Sequence, residues 1–320
     1  MSESSKPPSK PAVSQPQNLK DTNKLRNLQI FYSAFSAQAF AKTCDAPIDR
    51  VKKLLQIQHV YIRIPSDQRY KGMLDCMFRV YRDQGLLSFW RGNLTNIAQS
   101  AVGISINIIF KEYFKILTGG NMLRPNHRHF VRNMMAGGFG GVLSQIFLYP
   151  FSFVQTRLQA DVGSSSSTRE FFGFRDCVKK LYRIEGYQIF FTGLTVSLTG
   201  TFVYRSFYFG LHDFFWNFMF FANHKPNILT QFSIGSIVTF IAAFIAYPFD
   251  IIRHRVMIQQ GRTEKLFSSG IECAMWTMKN EGLIGFYRGL FVHYLKSYNG
   301  AMLGLILNTK IQISINKKKE

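Results

Sequence analysis

The sequence predicts an all-α membrane protein, with six transmembrane helices in three tandem repeats related by a pseudo-threefold axis. Three observations carry that expectation. The string Ala46-Pro47-Ile48-Asp49-Arg50-Val51-Lys52 returns, degraded, as Tyr149-Pro150-Phe151-Ser152-Phe153-Val154-Gln155, and then intact as Tyr247-Pro248-Phe249-Asp250-Ile251-Ile252-Arg253. The spacing, roughly 100 residues each time, exceeds a solenoid unit, so each copy reads as a small module. A long apolar run precedes every proline, and the composition pairs 47% hydrophobic and 15% aromatic residues with a formal charge of +21. Net hydropathy near zero does not oppose a membrane fold, because helices that line a wet cavity are polar on one side.

In chain order, residues 1–28 are rich in Ser, Pro, Lys and Gln without apolar periodicity, and read as a disordered tail. They contain no apolar core of a secretory signal and make a poor amphipathic transit peptide. Repeat 1 (29–120), repeat 2 (121–223) and repeat 3 (224–320) then follow one plan. An apolar helix runs through the proline motif, at about 29–57, 130–158 and 229–258. A polar loop leads to a short amphipathic segment, at about 73–83, 174–183 and 270–279. A glycine pair marks the next turn, Gly85 and Gly92, Gly186 and Gly193, or Gly282 and Gly289. A second apolar helix closes the unit, at about 93–117, 194–221 and 290–316. Each span of ~20 residues or more meets the length a bilayer requires, and an even number places both termini on one side.

Pro47, Pro150 and Pro248 each remove a backbone donor and bend their helix. Charges just beyond the bend, Asp49 with Lys52 and Asp250 with Arg253, are costly at membrane depth unless they face water or each other. Three such ends brought together form a gate. The positive balance calls for an anionic partner, but not nucleic acid, because the basic residues are scattered among apolar segments. Cys44, Cys76, Cys177 and Cys273 have no paired short spacing; the last three recur at equivalent positions after Asp75, Asp176 and Glu272, and read as small buried residues. Gly137-Gly138-Phe139-Gly140-Gly141 lacks a following Gly-Lys-Ser/Thr, so it reads as a helix-packing surface and not as a phosphate loop. No nucleophile–base pair, metal cluster or cofactor loop is found, so neither an enzyme nor a cofactor is expected.

The triple Pro-x-Asp/Glu-x-x-Lys/Arg pattern over residues 29–316 resembles the mitochondrial carrier family. Tyr70-Lys71-Gly72, Ser88-Phe89-Trp90-Arg91-Gly92-Asn93-Leu94, Thr156-Arg157-Leu158-Gln159-Ala160-Asp161-Val162-Gly163 and Tyr204-Arg205 resemble its adenine-nucleotide branch. The resemblance implies a multi-pass protein of the mitochondrial inner membrane that exchanges ADP and ATP by alternating access, with the short helices on the matrix side. It implies phosphate contacts at Lys42, Arg253 and Lys296, a polar contact at Asn107, and an adenine pocket at Gly200, Thr201 and Tyr204. His254 belongs to the same presumed site. It further implies a matrix gate of Asp49, Lys52, Ser152, Gln155, Asp250 and Arg253, and a cytoplasmic gate of Glu112, Lys115 and Asp213. Structural cardiolipin is expected at Gly72, Gly92, Gly173, Gly193 and Gly289, where helix N-termini and glycine amides would meet lipid phosphates.

The sequence departs from that pattern where charge matters. His254 stands in a run of three arginines and is mostly neutral at pH 7. Gln99 stands where an arginine is expected, Val102 where a proline is, and Lys296 replaces an arginine without its bidentate fork. Ser152 and Gln155 replace the middle gate pair. With each base reaching the next helix's acid, Arg253 to Asp49 is the one expected ion pair, with Lys52 donating to Ser152 and Gln155 to Asp250. On the other gate, Asp213 meets Trp216, and Asn308 with Ile311 replaces the last pair. These losses motivate a second reading: a carrier fold kept as a structural subunit of a respiratory complex, with the run 214–221 as a docking surface. A carrier of another anionic metabolite is a third.

Overall fold

The computed structural model describes residues 17–117, 127–163, 168–221, 228–262 and 265–297. Side chains are described at 32, 35–106, 144–163, 168–208, 210–212, 214–215, 230, 232–262 and 265–297. The described elements are all helical: α1 (Gln17–Ile57), α2 (Met73–Gln84), α3 (Asn93–Leu117), α4 (His127–Ala160), α5 (Phe174–Glu185), α6 (Leu194–Phe221), α7 (Ile228–Gln259), α8 (Gly270–Glu281) and α9, described over 290–297. A long helix, a short one and a second long one therefore recur three times. Helix α1 begins well before the expected position 29. From Gln17 to Ile30 the chain has neither Pro nor Gly and is rich in Leu, Lys and Gln, so helix extends outward until Pro16. The glycine-rich 137–141 lies within α4 and not in a loop.

Pro47, Pro150 and Pro248 all fall inside helices, which continue beyond them. Each short helix starts the same way. The carboxylate of Asp75 accepts from the Lys71 N–H (2.9 Å), Asp176 from Phe172 (3.0 Å) and Glu272 from Ser268 (2.7 Å). An acid in the first turn thus satisfies an amide before the helix. The next residue, Cys76, Cys177 or Cys273, turns inward and is fully buried, and burial pushes each thiol up to about 12. All four cysteines are free thiols, although Cys44 is exposed and not buried as expected.

The outward faces of α2 and α8 are apolar: Leu74, Phe78, Ile271 and Met275 are each at least 60% exposed, whereas α5 has exposed Arg175 and Lys179 in the equivalent places. Apolar surface of that extent is unusual against water and matches lipid. Among the described residues one stretch, Phe232–Gln259, is long and apolar enough by composition to cross a membrane. Helix α1 carries too many ionisable groups for that test, with Lys42, Asp45, Asp49, Arg50, Lys52 and Lys53 within twelve positions.

The second glycine of each pair has a conformational reason. Gly92, Gly193 and Gly289 have φ of 78°, 80° and 80° and open the helix that follows. A Cβ on Gly92 would lie 3.3 Å from the Gln155 carbonyl, and on Gly289 3.2 Å from the Tyr247 hydroxyl. Tyr149 and Tyr247, each preceding a motif proline, donate to the Thr192 (2.8 Å) and Arg288 (3.0 Å) carbonyls just before these glycines. Repeat 1 has Ala46 there, and Trp90 instead donates to the Thr43 carbonyl at 2.9 Å.

The C-terminal ends of α1, α4 and α7 converge and are tied in a ring by buried arginines. Arg50 donates to the Asp161 carbonyl (2.8 Å), Arg157 to Ile258 (2.9 Å) and Arg255 to Gln56 (3.2 Å). Each guanidinium reaches the chain at the end of the next repeat's long helix, where carbonyls lack helical partners and the dipole is negative. Arg255 is further fixed by Thr277 (2.8 Å) and Glu281 (2.9 Å), and Glu281 also pairs with Arg288 (3.0 Å).

Two tests follow from this arrangement. Glu281→Ala takes from the buried Arg255 guanidinium, and from Arg288 beside it, the only carboxylate each pairs with among the described residues, and is expected to destabilise the detergent-solubilised protein by about 3–5 kcal/mol. Arg82→Ala, which removes an exposed pair with Asp83, costs at most about 1 kcal/mol; equal losses in thermal unfolding would contradict the placement of Glu281. Burial pushes His59, which contacts Arg288, down to about 4. Unfolded, it titrates near ~6.5, so its contribution is present above that pH and is lost as pH falls towards 4. The unfolding temperature of His59→Gln should therefore fall less steeply than the parent's across that window.

Candidate functional site

Where the three repeats meet, inward faces of the long helices enclose two adjoining cavities that share Arg253. Residues three, four and seven apart project from one side of a helix, which is how Lys42, Asp49, Lys52 and Lys53 reach a common space. The polar cavity, about 360 Å³, is walled by those four from α1, Gln99 from α3, Ser152 and Gln155 from α4, Arg253 and His254 from α7, and Lys296 from α9. The second, about 270 Å³ and mainly apolar, is walled by Gly200, Thr201 and Tyr204 of α6, Tyr247, Phe249 and Asp250 of α7, and His293 of α9.

Five cations border the polar cavity, and most are held. Lys296 pairs with Asp49 at 2.6 Å, and Lys52 with Asp250 at 2.7 Å. Arg253 pairs with Asp250 of its own helix at 2.7 Å and donates to Ser197 at 3.0 Å. Lys53 contacts His254 Nε2. Lys42 makes no hydrogen bond or ion pair among the described residues, although it borders the same space. In the apolar cavity Tyr204 stacks on Tyr208, with centroids 6.0 Å apart and planes at 19°. Gly200 is where α6 and α7 approach: a Cβ there would lie 2.7 Å from the Phe249 Cβ.

The structure thus brings Lys42, Arg253, His254 and Lys296 together, and gathers Gly200, Thr201 and Tyr204 next to them. The expected gate residues Asp49, Lys52, Ser152, Gln155 and Asp250 border the same cavities. Their pairing differs from expectation. Asp49 bonds Lys296 instead of Arg253, Lys52 bonds Asp250 instead of Ser152, and Ser152 accepts from Gln99 at 2.8 Å. The reason is helical geometry. Three residues turn a helix by about 300°, about 60° short of a full turn, and in α1 that offset is enough to set acid and base against different neighbours, whereas Asp250 and Arg253 of α7 bond each other. Asp49 faces α9 while Lys52 faces α7.

The backbones at Asn107, Glu112, Lys115 and Asp213 belong to α3 and α6, but their side chains lie outside the described residues, as do Asn308, Ile311 and the side chains of 216–221. Of the glycines expected at lipid sites, Gly72 and Gly173 immediately precede α2 and α5, and Gly92, Gly193 and Gly289 open α3, α6 and α9.

Several residues at the site were not expected. Gln56 donates to the Tyr247 hydroxyl (3.0 Å) and to Asp250 (3.1 Å), bracing the Lys52–Asp250 pair. His293 Nδ1 is 3.0 Å from Lys52 Nζ. Gln56 follows Lys52 by four residues, one turn further along the same face. Lys53 and His254 both stand six places after a motif proline, and superposing the repeats would have found that contact.

Three stretches, 23–121, 126–223 and 224–319, match the family described as Mitochondrial carrier protein. The chain belongs to the mitochondrial carrier family. Among curated relatives of this carrier, ADP/ATP translocase 2 of Bos taurus is 38% identical over 286 residues, spanning 88% of this chain and 95% of the relative. ADP/ATP translocase 3 of Bos taurus is 38% identical over 277 residues, 85% and 93% of the two chains. ADP/ATP translocase 4 of Mus musculus is 38% identical over 282 residues, 88% of each.

If Asp250 organises the site, removing it matters more than removing the neutral contact. Asp250→Ala strips Lys52, Gln56 and Arg253 of a shared acceptor, whereas Ser152→Ala removes one hydrogen bond of about 1 kcal/mol. Thermal unfolding in detergent should rank Asp250→Ala as much the more destabilising, and the reverse order would discount that role.

Proposed function

We propose that this carrier exchanges ADP for ATP across the mitochondrial inner membrane by alternating access, with the long helices spanning the bilayer and the short ones on the matrix side. The observation that carries the reading is the pairing of a cation-rich cavity with an apolar, tyrosine-lined one, joined at Arg253. A nucleoside polyphosphate has that division: a planar base with a stacking face and a multiply charged tail. Lys42, unpaired among the described residues, takes the first phosphate contact. Arg253 and Lys296 exchange part of their carboxylate contacts for phosphate oxygens. Tyr204 offers its ring to the base, with Thr201 beside it. The curated relatives support the same cargo, since their names are those of ADP/ATP translocases.

The convergent, bonded ends of α1, α4 and α7 form the closed gate in this reading. Opening it requires that Lys52–Asp250 and Lys296–Asp49 part, and a bound polyanion lowers that cost by replacing the carboxylates. The apolar outer faces of α2 and α8 lie against lipid, and cardiolipin phosphates meet the backbone at Gly72, Gly92, Gly173, Gly193 and Gly289.

A second reading, a carrier fold serving as a structural subunit of a respiratory complex, is favoured by one observation: Gln99 and Ser152 leave a neutral contact at the motif's middle position. Proteoliposomes distinguish the two. Uptake of labelled ADP that depends on internal ATP supports exchange, and folded protein without such uptake supports the structural reading. Lys42→Ala should weaken ADP binding by roughly ten- to a hundredfold, as expected for one charge-assisted contact of ~1.5–3 kcal/mol. Gln99→Arg should strengthen it; unchanged affinity in both variants would remove the phosphate assignment from the polar cavity.

A further inference from the structure

His254 is fully buried, yet its ring borders the polar cavity. Nε2 lies against two donors, Lys53 Nζ on α1 and Arg253 Nη2 on its own helix, the latter at 3.2 Å. Both are cations that only donate, so Nε2 presents its lone pair and the ring is neutral. The ring proton is therefore on Nδ1, which has no hydrogen-bond partner and stands 3.8 Å from Asp250 Oδ1. One nitrogen is crowded by donors while the other is short of an acceptor.

The charged groups around it come from three helices. Helix α1 presents Lys42, Asp49, Lys52 and Lys53, α7 presents Asp250 and Arg253, and α9 presents Lys296 with the His293 ring. Helices α3 and α4 face the ring's cavity with Gln99, Ser152, Gln155 and Thr156, none of which carries charge. The neutrality of His254 is thus maintained by movable cations, Lys53 above all.

We propose that His254 binds one proton from water when a polyphosphate anion enters the polar cavity, so that this carrier loads a nucleotide together with a proton. The inference rests on the nucleotide reading above. Phosphate oxygens accept from Lys53 and Arg253, which then withdraw their hydrogens from Nε2. The freed lone pair takes the proton. The imidazolium donates from Nε2 to a phosphate oxygen and from Nδ1 to Asp250, giving the stranded N–H its acceptor. The site gains one positive charge only while occupied. Returning the proton when the anion leaves restores the contacts to Lys53 and Arg253.

Calorimetric titration of the purified, full-length carrier with ADP tests this, in buffers of different ionisation enthalpy at about pH 7.5. The terminal phosphate ionises near ~6, so the nucleotide itself contributes little there. The unaltered protein should take up a proton per bound ADP approaching one. His254→Gln should bind ADP without proton uptake, and so should His254→Arg, with affinity at least as high as the parent's, because it supplies the charge permanently. ADP binding without proton uptake by the parent, or uptake that survives in either variant, overturns the inference and leaves the nucleotide site intact. No ADP binding by the parent overturns both.

Discussion

Three guanidiniums, each bonded to the carbonyl end of a neighbouring repeat's helix, hold the convergent end of this molecule together. Arg50, Arg157 and Arg255 are all buried, so each must have its donors satisfied inside the protein. Bonds from charged donors are worth about 1.5–3 kcal/mol apiece, and leaving one unmade costs more. Their acceptors on the neighbouring repeats are backbone carbonyls, which no side-chain substitution removes. The ring therefore tolerates changes in the motif above it, where Ser152 and Gln155 occupy the places of an acid and a base. Closure can persist in a carrier whose charged motif is incomplete because a second tier depends on main chain.

The tier above works by charge distribution. Asp49 and Asp250 hold Lys296, Lys52 and Arg253, Gln56 steadies Asp250, and Lys53 rests on His254. Two carboxylates against five cations leave the polar cavity electropositive, and Lys42 is uncommitted among the described residues. Such a space attracts multiply charged anions, and in the proposed reading the adjoining tyrosine-lined cavity narrows the choice to those that also carry an apolar, planar part.

Much of this was legible in the residues. Pro47, Pro150 and Pro248 announced the threefold plan, and apolar runs bounded by Gly85, Gly92, Gly186, Gly193, Gly282 and Gly289 placed the helices closely, because each glycine has a turn to make. Lys42, Arg253 and Lys296 were recognisable as cavity residues because cations at such depth need a polar surrounding. The pairing was not legible. Asp49 and Lys52 look like one motif in sequence, but helical rotation sends them to different partners. Nor did Arg50, Arg157 and Arg255 signal their role, since Arg50 follows its proline by three residues and the others by seven. Their equivalence exists only in space. The start of α1 was misplaced because a polar composition hid an uninterrupted helix-forming stretch.

The contact between Gln99 and Ser152, at 2.8 Å, gives the molecule unequal sides. At the depth of the motif, α7 is fastened to α1 and α1 to α9 by opposite charges, while α3 and α4 share an amide and a hydroxyl. Force applied there by an arriving solute would not be resisted evenly. Both ion pairs join the first and third repeats, and the second is held at this depth by hydrogen bonds alone, so a motion that frees the second repeat resembles a door on its hinge more than an iris widening about its centre.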